Sequence, residues 1–258
     1  MKLDFSISEK NKKIYFASDF HLGAPNKAIS LSREKKIVNW LDTIKHDACT
    51  IFLVGDIFDF WFEYKHVIPK GFARFQGKIA EITDSGIEVI FFTGNHDLWM
   101  KEYFKQELGV QIFTKPEKIK INDKKFLIGH GDGLGSGDYK YKFYKSIFLN
   151  PICQWFFRWL HADIGLILAS LWSRKSRSIC EVKADPFLGK EEKLIIYCES
   201  IEKKEHFDYY IFGHRHLPID YQVNNKSKYF NLGQWFNQCN YGVFDGSNFE
   251  LKSFEPHD

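Results

Sequence analysis

No stretch of this 258-residue chain is long and apolar enough to span a bilayer. The longest run without a charge or a histidine, Tyr229 to Phe244, falls short of the roughly 20 residues that a spanning helix requires and is broken by five Asn and Gln residues, and the most apolar one, Ile164 to Trp172, is about half that length. The opening residues, MKLDFSISEKNKKIYFASD, carry charges throughout and lack the apolar centre of a secretory signal, so none is expected. Cysteine is sparse as well. Cys49, Cys153, Cys180, Cys198 and Cys239 are odd in number, and no pair has Cys-x-x-Cys spacing. That argues against a disulfide framework or a thiolate zinc site; each is expected to be a small buried hydrophobe or a free thiol in a reducing cytoplasm. An excess of one charge is also missing. Lys plus Arg is 36 and Asp plus Glu is 33, and the resulting +3 is too small to call for a nucleic-acid partner.

What the chain has in quantity is apolar and aromatic matter. Hydrophobic residues make up 44%, enough for a sizeable core, which excludes disorder and collagen-like repeats. Aromatics reach 17%, with 26 Phe and 7 Trp, more than a core of this size ordinarily needs, so some are expected near a surface.

Short apolar runs alternate with helical patterns, the signature of an α/β sheet with crossover helices. Lys13 to Ser18, Thr50 to Val54, Glu88 to Phe92, Lys125 to Ile128 and Tyr209 to Phe212 read as buried strands. Leu31 to Lys45 places Ile37, Trp40, Leu41 and Ile44 on one helical stripe, and Phe72 to Ile82 carries another. After Phe230, short strands and Gly turns predict an antiparallel end to the sheet system. Between about residues 139 and 194 the alternation stops, and a stretch rich in Trp, Phe, Lys and Arg replaces it. The expectation is one domain over 1–258 with a helical insertion, a lid, within it.

Each of the five strands ends in metal-binding residue types. In order they are followed by Asp19-Phe20-His21, Gly55-Asp56-Ile57-Phe58-Asp59, Gly94-Asn95-His96-Asp97, Gly129-His130 and Gly213-His214-Arg215-His216. Ligand sites of open α/β sheets lie at the carboxyl ends of strands, so these side chains are expected to converge. A set of carboxylates, an amide and imidazoles without sulfur suits Mn, Fe or Zn better than Mg or Ca. Asp19, His21, Asp56, Asn95, His130, His214 and His216 are too many ligands for one tetrahedral ion. A bridging carboxylate such as Asp56 divides them between two ions roughly 3.5–4 Å apart, the spacing of two-metal hydrolases, and phosphorus chemistry is the expectation. A single His after a strand is more often structural than a ligand; His46, His66, His161, His206 and His257 are read so.

The five motifs together resemble those of the calcineurin-like metallophosphoesterases, whose D-x-H, G-D-x-x-D, G-N-H-[DE], G-H and G-H-x-H pattern is matched from Asp19 to His216. The resemblance implies a four-layer αββα sandwich. It also implies that Asp19, His21 and His216 hold one ion, Asn95, His130 and His214 the other, and Asp56 bridges, with His96 assisting charge development or protonating the leaving group.

The insertion resembles the lid of the branch of that family that cleaves the pyrophosphate of a UDP-linked diacylated glucosamine in lipid A synthesis. The parallels are Gly131-Asp132 after His130, then Asp138, Tyr141 and the run Arg174-Lys175-Ser176-Arg177. Carried over, Asn95, His96, Asp138, Ser176, Arg177 and His214 become substrate contacts. The partners implied are a lipid-linked nucleotide and the cytoplasmic face of the inner membrane, touched peripherally. Well-known members of the branch have Arg directly after the Asn, whereas this chain has His96, which can donate a proton where Arg cannot. Two other readings stay open: a soluble nucleotide or phosphodiester hydrolase whose helices are merely structural, and a non-catalytic scaffold on the same fold. The sequence leaves the oligomeric state open.

Overall fold

The computed structural model of the chain describes residues 3–7, 11–137, 139–181 and 186–255, without the side chains of 170, 172 and 174–181. In chain order it contains β1 (Leu3–Phe5), β2 (Lys13–Ala17), α1 (Lys27–Ile44), β3 (Ala48–Val54), α2 (Ala73–Asp84), β4 (Glu88–Phe92), α3 (Tyr103–Leu108), β5 (Gln111–Phe113), β6 (Glu117–Ile121) and β7 (Lys124–Ile128). There follow α4 (Tyr139–Leu149), α5 (Pro151–Arg158), α6 (Ala162–Glu181), α7 (Lys193–Glu202), β8 (Tyr209–Phe212), β9 (Pro218–Asn224), β10 (Ser227–Leu232), β11 (Asn240–Phe244) and β12 (Phe249–Ser253).

The strands form two six-stranded sheets, ordered β1-β6-β7-β8-β10-β9 and β12-β11-β2-β3-β4-β5. In the second, β2, β3, β4 and β5 are parallel neighbours linked by α1, α2 and α3. Alternation within each strand sets the layers, because successive side chains point to opposite faces. Ile14 and Phe16 of β2, Phe52 of β3 and Ile90 of β4 meet Phe126, Ile128, Ile211 and Phe230 of the first sheet in a core between the sheets. The intervening Tyr15, Ala17, Leu53 and Phe91 pack instead against Ile37, Trp40 and Leu41 of α1, Phe75 and Ile79 of α2, and Phe104 of α3. On the far face of the first sheet, Tyr210, Phe212 and Tyr229 bury Leu194, Ile195 and Cys198 of α7. Helices, sheet, sheet and helix make the four layers.

The predicted strands recur with boundaries shifted by no more than a few residues. α1 begins at Lys27, before the expected Leu31, because Asn26 Oδ1 accepts the Ile29 N–H at 3.0 Å and starts the helix early. α5 likewise begins on Asn150 and Pro151. The expected antiparallel ending holds for β9 with β10 and for β11 with β2 and β12, but β10 lies parallel to β8. β10 is the return strand of a hairpin whose first strand, β9, takes the sheet edge, so it follows the direction of β8. No described helix is long and apolar enough to cross a membrane.

α4, α5 and α6 lie between β7 and α7 and pack differently. α4 buries none of its residues. Phe157 of α5 anchors the group, its ring 4.7 Å from that of Phe62 and 4.9 Å from that of Trp99, while the Trp99 indole N–H donates to the Phe148 carbonyl at 2.6 Å.

Candidate metal centre

Five loops leave the carboxyl ends of β2, β3, β4, β7 and β8 on the same edge of the sandwich, and backbone hydrogen bonds knit them together. Asp19 N–H donates to the Gly55 carbonyl at 3.1 Å, His21 N–H to the Asp56 carbonyl at 2.8 Å, and Gly213 N–H to the His130 carbonyl at 2.9 Å. Five of the seven predicted ligands, Asp19, His21, Asp56, His214 and His216, sit at positive φ, a backbone region that costs a residue with a side chain about 1 kcal/mol or more. Asn11, Phe72 and Asn122 share that region elsewhere in the fold, but strain concentrated in one cluster of loops is what a functional site carries when the surrounding fold over-determines it.

The motif glycines are needed for close approach. A Cβ on Gly94 would lie 2.2 Å from Asp56 Oδ1, one on Gly213 2.5 Å from Asp19 Oδ2, and one on Gly55, itself at φ +85°, 2.5 Å from His130 Nδ1. Gly129 differs: it makes room for Pro116 rather than for a candidate ligand.

Each carboxylate divides its oxygens. Asp19 Oδ2 accepts the His214 N–H at 3.0 Å and Asp56 Oδ1 the His96 N–H at 2.9 Å. That leaves Asp19 Oδ1 3.2 Å from His216 Nε2, and Asp56 Oδ2 between His21 Nε2 at 3.5 Å and His130 Nε2 at 3.2 Å. His21 Nε2 and His216 Nε2 are 3.1 Å apart. The ligand atoms of Asp19, His21, Asp56 and His216 all lie within 4.8 Å of one another. His130 donates Nδ1–H to the Val54 carbonyl at 2.9 Å, which fixes its tautomer and leaves Nε2 to bind, and its ring lies 5.3 Å from that of His214.

Asp19 Oδ1, Asn95 Oδ1 and His130 Nε2 are buried and make no hydrogen bond to a described residue. Buried polar atoms are otherwise almost always paired. Converging carboxylate, amide and imidazole atoms of this kind fit divalent cations, and the thiolate-free set is the one a phosphoester-cleaving metal centre uses. The buried carboxylates make the pocket attractive to positive charge, whether a proton or a cation. Burial works against a charged His21, yet hydrogen bonding to Asp19 and the charge of Asp56 outweigh it and push the imidazole up to about 9. Burial opposes ionisation of Asp19 too, but His21 and His216 hold its carboxyl far below the ordinary range.

Asp97 plays a different part from its motif neighbours. It is fully buried and accepts from Gly94 N–H and Ile57 N–H, each at 2.7 Å, tying the β3 and β4 loops together. Burial pushes its carboxyl up to about 7, and the charge of Asp56 acts in the same direction.

Several residues around the cluster were not singled out from sequence. The His96 Nδ1 lies 3.1 Å from both the Asp59 carbonyl and Ser173 Oγ, and the Asp59 carboxylate is 3.8 Å from both the His96 and His21 Nδ1 atoms. Only the second Asp of the G-D-x-x-D spacing gave a signal for this. The Phe236 ring stacks on His21 at 5.3 Å, and the Arg33 guanidinium lies 4.4 Å from its centre while donating to the His21 carbonyl at 2.8 Å. Nothing in the local sequence marks either residue, because they reach His21 from α1 and from the loop after β10.

Beside Asn95 and His96 a cavity of about 530 Å³ opens toward α4–α6, walled by apolar residues including Phe60, Trp99, Phe148, Phe157 and Leu168. Asp138 and the side chains of Ser176 and Arg177, the remaining predicted substrate contacts, lie outside the described residues.

Comparison with known proteins places these features in a context. The calcineurin-like phosphoesterase family matches residues 12–218. The chain is 36% identical over 256 residues to the UDP-2,3-diacylglucosamine hydrolase of Porphyromonas gingivalis, covering 94% of this chain and 98% of that protein. It is 27% identical over 255 residues to the enzyme of the same name from Vibrio atlanticus, with 94% and 98% covered, and 25% identical over 243 residues to that of Vibrio cholerae, with 89% and 93% covered.

Proposed function

The chain belongs to the calcineurin-like phosphoesterases, which makes it a metal-dependent phosphoester hydrolase, and from that premise we propose that it cleaves the pyrophosphate of UDP-2,3-diacylglucosamine. The products are UMP and 2,3-diacylglucosamine 1-phosphate. The observation that carries the reading is an apolar cavity of about 530 Å³ opening directly onto Asn95 and His96, an arrangement suited to a substrate that joins acyl chains to a phosphoanhydride. Near-full-length similarity to hydrolases of that name supports it.

Asp19, His21 and His216 would hold one divalent cation and Asn95, His130 and His214 the other, with Asp56 available to both; manganese is the favoured ion, and iron or zinc are alternatives. Bound there, two such cations would supply a nucleophile from water at neutral pH and stabilise charge on the attacking and leaving oxygens. The protein does the rest. Asn95 and His214 orient the phosphoryl group. His96, with Nδ1 engaged by Asp59 and Ser173, presents Nε2 to the phosphate for a hydrogen bond or a proton to the departing oxygen. Burial holds this imidazole below its ordinary value. Asp138, Ser176 and Arg177 contribute further substrate contacts.

Residues from about 139 to 194 act as a lid over the acyl chains, within a domain spanning 1–258. Exposed Trp155, Phe156 and Trp159 on and just after α5 rest on the cytoplasmic face of the inner membrane, where the lipid substrate resides. No nucleic-acid partner is involved.

The deciding experiment measures UMP release from UDP-2,3-diacylglucosamine in detergent with added manganese, beside ADP-ribose and bis(p-nitrophenyl) phosphate. Strong preference for the lipid nucleotide is expected. Preference for either small substrate would overturn the lipid assignment and leave a soluble phosphohydrolase with a merely structural helical segment.

A further inference from the structure

A pyrophosphate seated between the cations and an apolar cavity carries charge beyond the reach of the metal ligands, and buried charge requires a partner. Among the described residues lining the cavity, Lys145 of α4 is the one with a permanent positive charge, and it shares that lining with Asn95 and His96. Its position is built. Lys145 Nζ lies 2.5 Å from Asp132 Oδ2 and 3.4 Å from the Asp132 carbonyl, and Tyr141 donates its hydroxyl to the same Oδ2. Asp132 is buried and stands two residues after the candidate ligand His130. The loop between can turn so tightly because Gly131 and Gly133 both adopt positive φ; a Cβ on Gly133 would lie 3.0 Å from the Tyr141 ring. An ammonium has three N–H donors, and Asp132 occupies at most two.

We propose that Lys145 is a substrate-binding residue that receives the leaving phosphate of a pyrophosphate, held in place on the metal loop by Asp132. This rests on reading the site as a pyrophosphohydrolase. It assigns Lys145 a task in specificity: a phosphodiester whose leaving group carries no phosphate gains nothing from it, whereas a nucleoside-diphosphate ester gains a charge-assisted hydrogen bond. Asp132 and Tyr141 are positioning residues. They immobilise the ammonium beforehand, so that substrate binding does not have to order a flexible side chain.

The test compares wild-type, Lys145→Met and Lys145→Arg enzymes, loaded with manganese, on UDP-2,3-diacylglucosamine, ADP-ribose and bis(p-nitrophenyl) phosphate. Metal content and thermal unfolding are followed in parallel. Lys145→Met should lose roughly 10- to 100-fold in kcat/KM on the pyrophosphates, the range for removing a hydrogen bond to a charged group. It should change by less than about threefold on the phosphodiester, and Lys145→Arg should recover most of the loss. Equal losses on all three substrates would overturn the proposal and reduce Lys145 to a strut between α4 and the metal loop. Should Lys145→Met fail to fold, Lys145→Gln yields the same ratio. A wild-type enzyme active on ADP-ribose but not on the lipid nucleotide defeats the lipid assignment and leaves the Lys145 comparison readable with ADP-ribose. One active on the phosphodiester alone overturns both.

Discussion

The metal loops and the α4–α6 segment treat the same apolar-rich chain in opposite ways. In the loops, backbone geometry is over-determined: five of the seven candidate ligands are held at positive φ, and Gly55, Gly94 and Gly213 each leave no space for a Cβ. In α4–α6 the backbone is ordinary helix and the side chains are anomalous. Phe143, Phe156 and Trp159 are 63%, 62% and 74% exposed, whereas Trp40, Trp61 and Trp235 in the sandwich are essentially covered. The sandwich buries its large side chains against itself; the helices present theirs outward, where they contribute little to folding. One region is specified by its backbone, and the other by its side chains.

Substitutions can break that division from either side. Asp56→Ala should lower turnover by about 10³-fold or more and reduce bound manganese, measured by rate and by metal analysis, since it removes the carboxylate between His21 and His130. An unchanged rate would sink the bridging assignment. His96→Ala should reduce turnover by roughly 10²- to 10⁴-fold while metal stays bound; loss of metal would make His96 a ligand instead. Replacing Trp155, Phe156 and Trp159 together by Ser should weaken sedimentation with anionic vesicles by about tenfold or more. The same variant should leave turnover of bis(p-nitrophenyl) phosphate and the melting temperature nearly unchanged, and a large drop in melting temperature would show that these side chains belong to the fold.

The smallest effect concerns a scaffold carboxylate remote from both regions. Burial alone would raise Glu202, but the Phe207 N–H, the Tyr210 hydroxyl and His206 hold it down at about 2. A depressed folded value stabilises above the unfolded pKa and loses that contribution as pH falls toward the folded one. Glu202→Gln should therefore cost about 1 kcal/mol at neutral pH. In chemical denaturation the difference should shrink between about pH 4.5 and pH 2. A difference that persisted at pH 2 would contradict the assignment.

Much of this was legible in the sequence, for identifiable reasons. β4 and β8 were readable to the residue because strands buried on both faces appear as continuous apolar runs. The convergence of Asp19, Asp56, His130 and His216 followed from the rule that open α/β sheets place ligands after strands. Short edge strands such as β1 and β5 escaped because three residues carry no period. α4 fell within the expected helical insertion, but its own bounds escaped because the helix YKYKFYKSIFL has no buried face to generate a stripe. Arg33, Phe236 and Ser173 escaped for a third reason: each meets a site residue only through tertiary packing, with no local pattern to record the encounter.

The division of ligands between two sheets bears on when the molecule becomes an enzyme. Asp19 and His214 are joined by a hydrogen bond across 195 residues of chain, and His21 faces His216 over the same separation. Contacts of such range form late, after the local pairings that bring them near. A chain emerging from the ribosome holds Asp19, His21, Asp56 and Asn95 long before β8 delivers the last two histidines. On the proposed ligand assignment, metal uptake at full affinity requires the C-terminal strands to have closed over the site, which couples it to the completion of folding.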